Sequence, residues 1–123
     1  MMKTKYETEV AQLGPLSQDF IDEGILVFFD ISAPEELAEF AILHQHGQLH
    51  EHFHAGDRLV IGEKALEILS VGEVANDNVA NLGHLVVKFN GQSEPEMPGD
   101  ISVAKTPTPP IEPGTIVKII AGN

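Results

Sequence analysis

The chain has 123 residues, 42% of them apolar and 21% charged, which fits one compact domain spanning 1–123 and excludes a disordered chain or two catalytic domains. Its longest apolar run, Ile25–Phe29, is far short of the about 18 residues a membrane span needs, so no direct membrane insertion is expected. Seven Lys and Arg against 19 Asp and Glu give a net charge of −12, which argues against nucleic acid, and the absence of cysteine excludes a disulfide scaffold, a thiolate zinc site and a cysteine nucleophile on this chain.

The start, Met1 to Lys5, leads directly into Tyr6 and Glu7 rather than into the apolar stretch of a signal peptide, and a cytoplasmic location is expected. Lys5 to Leu13 reads as a strand with Tyr6, Thr8 and Val10 on one face, broken by Gly14 and Pro15. Gly24 to Ile31 is a second strand, apolar on both faces. Ser32 with Glu35 three residues on, and Pro34 between them, predicts one short helix opened by a capping box. Phe40 to Leu43 then runs as an apolar stretch into His44.

From Gly56 onward the pattern is repeatedly extended. Arg58–Ile61 and Lys64–Val71 form a hairpin around Gly62 and Glu63, and Leu85–Phe89 ends in the turn signal Asn90-Gly91. Ile101–Ala104 and Thr115–Ile120 are short strands separated by a proline-rich stretch. Six of the eight prolines lie between Pro95 and Pro113, which makes that region loops and edge strands. Seven or eight short strands with one short helix predict an all-β, small single-domain barrel or sandwich.

Five of the six histidines, His44, His46, His50, His52 and His54, fall within eleven residues. In an extended segment Phe40, Ile42, His44 and His46 share one face, so His44 stands where a buried strand reaches the rim of its sheet. His50, His52 and His54 lie beyond Gly47 and read as a solvated loop. His84 opens a later strand; if that strand pairs antiparallel with the one ending at His44, the two imidazoles share a rim.

Two chemistries suit this arrangement. His44 and His46 could be ligands in a cupin-like metal-binding β-barrel, since His-x-His on a strand can place two imidazoles on one ion and Glu51 follows. Against that, Ala38 stands where the cupin motif has its leading glycine, and no second histidine half-motif follows. Alternatively, a neutral imidazole offers a ring nitrogen as a nucleophile near neutral pH and can carry a phosphoryl group. This second chemistry needs no metal and no nucleotide cofactor, and the chain has no phosphate-binding glycine loop. The stretch Leu43–His50 contains no acidic residue, so an acid-poor pocket is expected around His44.

A set of landmarks carries a family resemblance: Ala33-Pro-Glu-Glu-Leu37, Leu43-His-Gln-His-Gly-Gln-Leu49, Val71-Gly-Glu-Val-Ala-Asn-Asp-Asn78, Leu82-Gly-His84, Phe89-Asn-Gly91, Pro98-Gly99 and Pro113-Gly114. In these the chain resembles the glucitol/sorbitol-specific enzyme IIA of the bacterial phosphoenolpyruvate-dependent sugar phosphotransferase system. The resemblance implies a small all-β barrel with His44 as the phosphorylated, catalytic residue. It implies the phosphocarrier HPr as donor, and as acceptor a cysteine on the IIB domain of the sorbitol permease. IIB and the membrane-spanning IIC would be other chains, which suits a chain without cysteine. His46 and His84 lie in matching segments and are candidates for orienting His44 or stabilising the phosphoryl group; His50, His52 and His54 lie outside the matching segments. The apolar strands also leave room for a homodimer.

Overall fold

The computed structural model describes residues 3–122, in which eight strands close into a barrel. In chain order these are β1 (Thr4–Leu13), β2 (Ile25–Asp30), β3 (Ile42–His44), β4 (Arg58–Ile61), β5 (Lys64–Val71), β6 (Leu85–Lys88), β7 (Asp100–Val103) and β8 (Ile116–Ile120). Around the barrel the order is β1-β3-β2-β6-β7-β5-β4-β8, and β8 pairs back onto β1. Closure leaves no free sheet edge, which removes the aggregation hazard of unpaired strands.

Alternation along the strands explains the core. Tyr6, Thr8 and Val10 of β1 are buried and Glu7 and Glu9 exposed; Leu59 and Ile61, Leu66 and Ile68, Val117 and Ile119 repeat this period of two. The β4–β5 hairpin has the expected register, with Ile61 opposite Lys64 across a turn in which Gly62 adopts φ +60°.

Two strand pairs are parallel, β2 with β3 and β6 with β7. The first positions the site. Residues 31–41 cross over so that β2 and β3 run the same way and finish together, Asp30 in register with His44. The strand carrying His84 at its entrance, β6, pairs with β2 and β7 rather than with β3. The expected antiparallel pairing with the strand of His44 therefore does not form, because β2 is inserted between them.

Among the described residues there are three short helices where the sequence predicts one. α1 (Ser17–Asp22) and α3 (Ala75–Leu82) join α2 (Glu35–Ala38). Ser32 does not cap α2: its N–H and its hydroxyl both bond the Asp30 carboxylate, and Pro34 stands at the cap position. A charged acceptor two residues back outcompetes the helix N–H groups for the serine. In α3 the segment Asn76-Asp77-Asn78 has poor helix propensity. Packing compensates: Ala75 and Val79, one turn apart, are buried, and the Asn76 side chain bonds both backbone groups of Phe53 at 2.8 and 2.9 Å.

Candidate functional site

His44 ends β3 with its ring turned into the mouth of the barrel, edge-on to Phe28 at 5.8 Å between centroids. Only 2% of its surface is exposed. The strand end is at the rim, as its parity requires, and the imidazole it carries there is covered.

Both ring nitrogens are engaged. Nε2 lies 2.7 Å from the Gly83 carbonyl oxygen, and Nδ1 lies 2.7 Å from Thr8 Oγ1. A carbonyl oxygen only accepts, so Nε2 carries the proton; in the neutral ring Nδ1 then holds the lone pair and the Thr8 hydroxyl donates to it. Burial pushes the His44 pKa below its ordinary value, against the raising effect of the Gly83 carbonyl, and nearby His46 pushes it further down. The ring is therefore neutral at physiological pH, the form that can act as a nucleophile. Thr8 has a second acceptor, the Gln45 carbonyl at 3.3 Å. One hydroxyl proton and two acceptors let Thr8 either hold the Nδ1 lone pair or release it.

The Gly83 carbonyl reaches His44 because α3 ends there. Gly83 takes the left-handed conformation, φ +60°, in the cap position. It also passes against His46 so closely that a Cβ on residue 83 would stand 2.5 Å from the His46 Cβ. Only glycine meets both demands.

His46 lies two residues beyond β3, its ring centroid 6.5 Å from that of His44. Its Nδ1 is 2.8 Å from Asp30 Oδ1, and its backbone N–H donates to the same oxygen at 3.1 Å. Hydrogen bonds from the Ser32 hydroxyl, the His46 side chain and both their backbone N–H groups hold the Asp30 carboxyl well below the usual carboxylate range. The pocket is therefore not free of acid, as the local sequence implied: the parallel β2–β3 pair delivers Asp30 from outside it. His84 is not brought to His44. Its ring stacks on Phe29 at 4.1 Å and its Nδ1 faces the Phe28 carbonyl at 3.2 Å, on the face of β2 opposite to that of Phe28 and His44.

Thr8, Asp30 and Gly83 are thus the site residues that sequence reasoning missed. Gly83 was within a landmark segment, and Asp30 ends an otherwise apolar strand, which is a legible oddity. Thr8 gave no signal beyond its inward parity. A small recess of about 10 Å³ lies against Tyr6, Thr8, His44 and Gly83, its other walls apolar side chains such as Phe28, Leu59 and Ile119. Tyr6 has its pKa pushed up to about 12 by burial, against the lowering effects of the Gly47 backbone and Thr8, so it stays a neutral phenol and does not serve as a base.

His50, His52 and His54 are exposed. Their backbone is what holds the loop: buried Lys5 binds the His52 carbonyl at 3.0 Å and Asp57 at 2.7 Å, and Asp57 accepts the His54 N–H at 2.9 Å. Among the described residues no group of three or more histidine, aspartate or glutamate side chains is arranged to hold a metal ion. His44 and His46 turn their nitrogens to Thr8, Gly83 and Asp30 instead of to a common point, which removes the support for the cupin-like reading.

Residues 5–118 match the family model described as PTS system glucitol/sorbitol-specific IIA component. The chain belongs to this family. As a IIA component it is a phosphotransferase relay of a sugar phosphotransferase system. The glucitol/sorbitol-specific EIIA components of Shigella flexneri and Escherichia coli (strain K12) are each 33% identical to this IIA component over 117 residues, covering 95% of both chains. The crystal structure of the PTS system IIA component from Enterococcus faecalis V583 shares its fold, with a TM-score of 0.76 and 22% identity over 90% of this chain and 96% of that one. No helix among the described residues of the IIA component is long and apolar enough to cross a membrane.

Proposed function

We propose that residues 1–123 act as a single cytoplasmic IIA domain that carries a phosphoryl group on His44 between phospho-HPr and a cysteine of the IIB domain during sorbitol uptake. The observation that carries this reading is the neutral imidazole of His44, held by Thr8 and Gly83 at the open end of a parallel strand pair. Relatives named for glucitol and sorbitol support the sugar assignment.

In the first transfer a His44 ring nitrogen attacks phosphorus, and the P–N bond to the donor imidazole breaks. Its electron pair stays on the donor ring, which takes up the proton that His44 gives up. In the second, the IIB thiolate attacks the same phosphorus and His44 leaves as a neutral imidazole after regaining a proton. Neither step changes oxidation state or needs a cofactor. Since both ring nitrogens are covered, acceptance requires the Thr8 hydroxyl or the Gly83 carbonyl to give way; Thr8 has the Gln45 carbonyl to turn to. His46, whose Nδ1–H donates to Asp30, stands beside His44 as the residue that orients this end of the site.

His44→Gln tests the assignment. It keeps side-chain polarity while removing the nucleophile, whereas His44→Ala would strand the buried Thr8 and Gly83 groups at about 1–3 kcal/mol. Incubated with phosphoenolpyruvate, enzyme I and HPr, the wild type should take up one acid-labile phosphoryl group and the glutamine variant none. Normal labelling of a folded variant would refute the role of His44.

A further inference from the structure

Large apolar side chains exposed on an acidic protein call for an explanation, because they are costly to leave in water. Three of them, Ile31, Leu37 and Leu82, are 50%, 45% and 52% exposed. Leu37 and Leu82 both line a groove of about 330 Å³ whose walls also include Phe29, Pro34, His46 and Asp30. Ile31 directly follows Asp30 in the chain. A side chain seated in this groove would therefore lie against His46, one ring away from His44.

The charge around the groove is one-sided. Glu35, Glu36 and Glu39, on and just after α2, are all exposed. Residues 6–57 and 65–87, which supply every wall of the groove, contain no lysine or arginine. Among the described residues no lysine or arginine lines the groove, so the charge of a phosphoryl group brought there has to be balanced from outside. A second copy of the chain would oppose these glutamates with its own, which disfavours self-association through this face.

We propose that the groove between α2 and the end of α3 is the docking surface for phospho-HPr, taking an apolar side chain of the donor between Leu37 and Leu82 while donor cations meet Glu35, Glu36 and Glu39. This rests on the phosphocarrier reading above and adds the location and chemistry of the contact. Leu37 and Leu82 supply contact area, the glutamates supply steering, and the contact delivers the donor's phosphoryl group beside His46.

Initial rates of transfer from phospho-HPr, measured against donor concentration, test the proposal. Leu37→Ser and Leu82→Ser should each raise KM by about tenfold, the equivalent of losing one buried leucine contact, with kcat close to wild type. Glu35→Gln, Glu36→Gln and Glu39→Gln combined should raise KM and flatten its dependence on salt. Met97→Ser, at an exposed apolar residue outside the groove, should change neither constant. Unchanged KM in both leucine variants, or an equal rise in Met97→Ser, would overturn the docking site while leaving the relay intact. Sedimentation of the wild type as a dimer that Leu82→Ser converts to a monomer would assign the groove to a second copy and overturn it too. Wild-type protein that accepts nothing from phospho-HPr would instead bring down the phosphocarrier reading, and this proposal with it.

Discussion

His44 is buried with both ring nitrogens hydrogen-bonded, and the proposed chemistry rests on it. Because folding holds it neutral below its ordinary pKa, the unfolded chain binds this proton first as pH falls. The contribution of His44 to stability is therefore complete above about pH 6.5 and is lost as pH drops toward the folded value. Urea midpoints at pH 7.5 and pH 5 should fall more for the wild type than for His44→Gln; an identical fall in both would show that His44 does not sense acid in this way. Gly83 is the second residue-scale constraint. Gly83→Ala should cost about 1–2 kcal/mol from its left-handed backbone alone, and should slow phosphoryl acceptance besides, since the new Cβ drives into His46. Thermal unfolding and transfer rates on the same sample check both effects; wild-type rates in a destabilised protein would separate the fold's need for glycine from the site's. The sequence points to His44 because strand parity and a family landmark converge on it. Thr8 and Asp30 are not legible in the same way: Thr8 is 36 residues from His44 in the chain, and nothing local says that these strands will be neighbours.

At the level of elements, the parallel pair β2–β3 makes the site and the Lys5–Asp57 pair secures the long loop that follows it. Asp57 is pushed up by burial, but bonds from Lys5 and from the Gly122 and His54 backbone pull its carboxyl net downward. With both side chains buried, removing one partner leaves an uncompensated charge. Lys5→Met or Asp57→Asn should each cost about 3–5 kcal/mol in urea unfolding, while Lys5→Met combined with Asp57→Leu recovers much of the loss. Additive losses in the double variant would contradict this account. The strands were legible here because an inward and outward period of two survives in β1, β4, β5 and β8. The helices were less so. α3 is written in asparagine and aspartate and is held by Ala75, Val79 and the Asn76 bonds to Phe53, contacts that exist only after the barrel has closed. The pairing of β6 is not legible for the same reason, since sequence order does not reveal that β2 is inserted between β3 and β6.

For the whole molecule, the net charge of −12 is a statement about partners. On the docking proposed above, the exposed Glu35, Glu36 and Glu39 would steer a cationic donor in and leave the phosphoryl charge to be met by that donor. The second-order rate of transfer from phospho-HPr should therefore fall steeply with ionic strength, by roughly tenfold or more across the range in which surface charges become screened. A rate independent of salt would rule out electrostatic steering. Closed on itself, the barrel can hold one buried imidazole rigidly, with segment 45–47 and the end of α3 at Leu82 and Gly83 beside it. The central claim is that His44 is where the phosphoryl group rests, and the most direct test is to locate it. Protein phosphorylated with phosphoenolpyruvate, enzyme I and HPr, then digested near neutral pH and mapped by mass spectrometry, should carry one phosphoryl group on the peptide containing His44, at His44. Its appearance at His46, His84 or a histidine of the 50–54 loop, with His44 unmodified, would contradict the account.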